Sequence, residues 1–283
     1  MPTAAKSLGT KQIPAIVLCF LFGSAIGLAG YYSEIPIDIR MWIRLGLAAV
    51  FLVGLFLFPR EKPVWQTCLA FLGVTAGIYA AGLIGTRPLE WLNIASSDAP
   101  GYAVSKISEV LPIVLAMFLA VIFGGRGLEG LRLYKGRPGL SVLCGFGVGV
   151  VLFGYFLSQG DWRVFQNGNL IKLLPVIGWV TIFSVCNSFI EELWFRGLFL
   201  SRFEWQFGPR WAFWLTAVIF GMLHAFGSFA GTLGSLVLTL FTLLLGIAFS
   251  LIVQKTNNIW GAVVGHFFAD FFMMLGFFAT QGM

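Results

Sequence analysis

From residue 13 to residue 278 the chain repeats one pattern: a long apolar run, then a short break of charge, proline or glycine. A run of about 20 apolar residues spans a bilayer core as a helix, and a soluble core has no use for several in series. The runs lie at 13–31, 41–58, 64–85, 107–123, 140–157, 170–203, 211–226, 233–253 and 259–278. The sequence therefore predicts an all-α, polytopic transmembrane helix bundle of about eight to nine membrane segments. Only 11% of residues are charged and mean hydropathy is +0.90. A soluble domain carries about twice that charge.

The net charge of +6 does not point to nucleic acid, because a membrane protein has another use for it. Numbering the connections alternately puts twelve of the eighteen Lys and Arg residues on the N-terminal side, including Arg126, Arg132, Lys135 and Arg137. Cytoplasmic loops hold the excess of Lys and Arg, so the N-terminus is expected in the cytoplasm. In this reading Arg40, Arg44, Arg87 and Lys106 count on the opposite side, Arg44 at the start of the second run. Residues 87–106 read as a loop with a short interfacial helix at 88–94. The partners implied are the lipid bilayer and a membrane protein or peptide. The four cysteines, Cys19, Cys68, Cys144 and Cys186, all lie in apolar runs and none forms a Cys-x-x-Cys. They read as small apolar packing residues.

Against this background Glu191-Glu192-Leu193-Trp194-Phe195-Arg196-Gly197 stands out. Ionisable groups at membrane depth are costly and so are functional candidates. On a helix, Glu192 and Arg196 are four apart and can pair. Glu191 is turned about 100° away and is left for other work, such as general base catalysis. The only two histidines, His224 and His266, also lie in apolar runs, and Asp270 follows His266 by four. The turn at Gly208 places Glu191 and His224 at similar depth. The turn ending at Asn258 brings His266 and Asp270 up from the same side. Gly261 and Gly265 read as a close helix crossing, and Phe220 as packing.

Glu-Glu-x-x-x-Arg, Phe-x-x-x-His and His-x-x-x-Asp, in this order, resemble the motifs of the CPBP family of intramembrane proteases. That family includes the eukaryotic CaaX prenyl endopeptidase and bacterial relatives tied to bacteriocin self-immunity. The resemblance covers roughly residues 170–275. It divides the chain into N-terminal helices without family motifs (1–140) and a catalytic transmembrane core (141–283). It implies an endopeptidase acting near the cytoplasmic face on a membrane-associated, in some members lipidated, substrate. Glu191 and His224 would activate water, with Glu192 and Arg196 as the supporting pair. His266 and Asp270 would stabilise the oxyanion or position the substrate. Asp270 departs from the asparagine of the eukaryotic enzymes. An ionised aspartate donates no hydrogen bond, so Asp270 is either protonated or orients His266 instead, and the departure counts against a prenylated substrate. It also suits the bacterial branch, in a cytoplasmic membrane.

A metal-free reaction is expected, since there is no His-Glu-x-x-His helix. A zinc site would draw on His224, His266 and either Glu191 or Asp270. Two readings outside proteolysis compete with this one. A membrane scaffold or immunity protein could use the same cluster structurally. A proton-coupled transporter would be expected to show inverted repeats, and none is visible.

Overall fold

The computed structural model describes residues 35–58, 63–124, 127–158, 169–227 and 231–281. The first apolar run and the Pro59–Pro63 turn lie wholly or mostly outside these. Every regular element among the described residues is helical. In chain order they are α1 (Ile37–Leu57), α2 (Pro63–Ile84), α3 (Arg87–Leu92), α4 (Ala99–Phe123), α5 (Pro138–Ser158) and α6 (Asn169–Glu192). A π-helical turn, Leu193–Phe199, then leads into α7 (Leu200–Phe207), α8 (Pro209–Gly227), α9 (Gly231–Thr256) and α10 (Trp260–Gln281). Seven of the described helical stretches are long and apolar enough to cross a membrane. The protein is an integral membrane helix bundle.

Three boundaries differ from the sequence reading, each for a physical reason. First, α1 begins at Ile37 rather than at residue 41, so Arg40 is helical as well as Arg44. Arg44 is buried, where its Nη1 donates to Tyr79 O at 3.2 Å and its guanidinium lies over the Tyr79 ring. A carbonyl and a ring face make an arginine tolerable inside a bundle.

Second, α4 begins at Ala99 rather than at residue 107. Helix α3 ends at Asn93 in the left-handed conformation (φ 54°), and Pro100 occupies the first turn of α4, where a missing N–H costs nothing. Lys106 is thus inside a membrane helix. Glu109, one turn on, pairs with it at 2.8 Å.

Third, the helix carrying the two glutamates does not continue as α-helix. It widens into the π turn directly after Glu192, and Leu200 N–H reaches back five residues to Phe195 O. Such turns are rare and concentrate at functional sites. Here all seven residues, Leu193 to Phe199, are buried.

Helix α5 packs along α10 and α10 along α6, while α8 pairs with α9. The α5–α10 crossing is made by glycine. A Cβ on Gly261 would lie 2.0 Å from Ser141 O, and one on Gly145 would lie 2.3 Å from Gly261 O. The Gly261/Gly265 spacing is a close helix crossing, as expected. Segment 128–137 is stitched to the α9–α10 turn: Ile259 N–H donates to Arg132 O, Asn258 Nδ2 to Lys135 O and Trp260 Nε1 to Leu133 O. These bonds fix the start of α10, and with it the height of His266. Cys68 is buried and Cys144 and Cys186 are half-buried; Cys19 lies outside the described residues.

Candidate active site

Glu191, Glu192, Arg196, His224, His266 and Asp270 come together from α6, the π turn, α8 and α10. Glu192 is the innermost. Its Oε1 accepts from Arg196 Nη1 at 2.8 Å and from His266 Nδ1 at 2.8 Å, and neither Glu192 nor Arg196 has exposed side-chain surface. The bond to His266 spans 74 residues of sequence and no local pattern announces it. Arg196 also donates from Nη2 to Gly246 O at 3.2 Å, and its guanidinium stands 4.4 Å from the Phe220 ring centre and 5.4 Å from that of Phe249. Carboxylate, carbonyl and π-faces together replace the hydration that the cation loses. Phe220 is therefore more than packing. It lies against Arg196, His224 and His266 at once.

Glu191 differs. Its side chain is 21% exposed, and His224 Nε2 and His266 Nε2 lie 3.6 and 3.8 Å from its Oε2. Both distances exceed a direct hydrogen bond, and Oε2 is buried without one.

The backbone and carboxylate partners set the imidazole tautomers. His224 Nδ1 lies 2.8 Å from Phe220 O. A carbonyl oxygen only accepts, so Nδ1 carries the proton and Nε2 faces Glu191. His266 Nδ1 likewise donates to Glu192 Oε1, which turns its Nε2 toward Glu191 and Asp270. Asp270 Oδ1 is 3.6 Å from that Nε2, and its Oδ2 accepts from Asn187 Nδ2 at 3.0 Å. Asn187 did not figure in the sequence reading. Its signal is positional: a polar side chain one helical turn before Glu191, inside an apolar run.

The carboxylates and imidazoles converge without forming a metal cage. Among the described residues no three His, Cys, Asp or Glu side chains are placed to hold one ion.

The fold and this enclosed cluster define a polytopic membrane protein with a carboxylate–imidazole site within the bilayer. Residues 173–272 match the family described as Rce1-like, type II CAAX prenyl endopeptidase. Over this stretch, which is less than half of the chain, the sequence is similar to that family. The match begins early in α6 and ends in α10, and every residue of the cluster falls within it. No curated protein and no solved structure matches the chain.

Proposed function

We propose that this protein is an intramembrane endopeptidase in which Glu191 activates water against a peptide bond of a membrane-associated substrate near the cytoplasmic face. The observation that carries the reading is Glu191 Oε2, a buried acceptor without a hydrogen bond at which two imidazole nitrogens are aimed. A water placed there would be held by Glu191 and by His224 Nε2. Glu191 takes one water proton, the hydroxide adds to the carbonyl carbon, and the carbonyl π pair moves to oxygen. Glu191 then returns the proton to the leaving amine as the C–N bond breaks. His266 and Asp270 position the substrate. Glu192 and Arg196 hold His266 in register.

The test compares membrane peptides from cells producing the wild type with those from cells producing Glu191→Ala. Uncleaved membrane peptides accumulate in the variant if the reading holds; identical peptide pools would count against it. Purified active protein should contain far less than one zinc per chain and keep its activity after chelation. Zinc lost and regained in step with activity would overturn the metal-free form.

A further inference from the structure

Lys106 lies on α4, outside both the family match and the motifs. Two contacts fix the register of α4 against the chain that carries the site. The Tyr102 ring meets that of Phe183, and Ala120 O accepts from Arg202 Nη2. The offsets between partners, 81 and 82 residues, are nearly equal over five turns, so α4 runs parallel to α6 and α7. On that register Lys106 is level with Asn187 and Glu109 with Ile190. Tyr102 also meets Phe277 and Phe278 of α10. Lys106, one turn and about 6 Å further along α4, is then carried toward Asp270. Lys106 is indeed within electrostatic reach of both Glu191 and Asp270.

Arg196 also acts on Glu191, but it is fully enclosed and committed to Glu192, Gly246 O and three rings. Arg196 has no surface with which to meet a substrate. Lys106 is 25% exposed, and one of its three N–H bonds is committed, to Glu109 Oε2. Ser105 Oγ holds the second oxygen of Glu109, so the carboxylate anchoring Lys106 is itself fixed. On α10 His266 Nε2 faces Glu191 and Asp270, and an ionised Asp270 only accepts.

We propose that Lys106 is a catalytic residue of this site, donating an N–H bond to the oxyanion that forms when water adds to the scissile carbonyl. This rests on the endopeptidase reading. In the addition step the carbonyl π pair becomes the oxyanion lone pair, and Lys106 meets it without losing its proton. On collapse the pair returns to the carbonyl as the C–N bond breaks and Glu191 protonates the amine. An ammonium aimed at developing charge in a low-dielectric site is worth far more than in water. The catalytic centre thus needs a helix that the family-matching segment does not contain.

The experiment uses the full chain in lipid nanodiscs with a fluorogenic farnesylated peptide as probe. Lys106→Met should lower kcat by about 100-fold while changing KM by no more than about 2-fold. Lys106→Met/Glu109→Leu removes both charges together, leaves neither uncompensated, and should show the same kcat loss with an unchanged melting temperature. Alkylating Lys106→Cys with 2-bromoethylamine rebuilds an ammonium of similar reach and should restore at least about 10-fold of the lost rate. The alkylated wild type serves as control for the native cysteines. A kcat within about 3-fold of wild type in the double variant, a loss confined to KM, or no gain on alkylation overturns the assignment of Lys106. Absent wild-type turnover, or turnover by Glu191→Gln, overturns the endopeptidase reading itself and this inference with it.

Discussion

Glu192 has no exposed side-chain surface and its Oε1 meets Arg196 and His266 at 2.8 Å, whereas Glu191, its neighbour in the chain, is 21% exposed and its Oε2 faces His224 and His266 at 3.6 and 3.8 Å. A rotation of about 100° separates the two along the helix. It sends one carboxylate into the packed centre between α6, α9 and α10, and the other toward His224. The inner carboxylate is fixed through Oε1, and its Oε2 is enclosed without a hydrogen bond. The outer one keeps a lone pair for chemistry. Stability and reactivity are thus divided between adjacent residues of one type, and the division can be tested by breaking each side separately.

The largest effect is expected on the inner side. Arg196→Ala leaves Glu192 charged and enclosed, which costs about 3–5 kcal/mol for a buried pair. Folded yield and thermal stability in detergent should fall well below those of Glu191→Ala. Equal melting of the two variants would dissolve the contrast. On the outer side, His224→Gln should reduce turnover about 100-fold, with melting little changed because His224 is 27% exposed. A large stability loss with normal turnover per folded molecule would make His224 a structural residue. The smallest effect is expected at the margin of the cluster. Asn187→Leu removes the donor to Asp270 Oδ2 at 3.0 Å and should cost roughly 1–3 kcal/mol as an unsatisfied buried acceptor. Unchanged melting would mean that Asp270 finds another partner.

Much of this arrangement was legible in the sequence. Long apolar runs gave the helices because a bilayer demands that each span satisfy its own backbone. The four-residue spacing of Glu192 and Arg196, and the shared depth of Glu191 and His224, survive as contacts. Gly261 and Gly265 were readable because a glycine repeat in an apolar run has few other uses. What could not be read was long-range or compensated. The Glu192–His266 bond depends on how α6 and α10 rotate against one another. Lys106 read as a loop charge because its neutralising partner, Glu109, sits one turn further along the same helix. The π turn was hidden for a different reason: no residue type encodes a wider turn, and burial of the whole Leu193–Phe199 stretch emerges only from the surrounding helices.

The most direct test replaces each glutamate in turn by glutamine, which keeps size and removes the charge, and measures cleavage and melting temperature on the same samples. Glu191→Gln should fold and melt like the wild type while losing cleavage by at least about 10³-fold. Glu192→Gln should melt lower, because Arg196 loses its counter-charge. A folded Glu191→Gln protein that still cleaves at a substantial fraction of the wild-type rate would contradict the account and move the base to Glu192 or to a histidine.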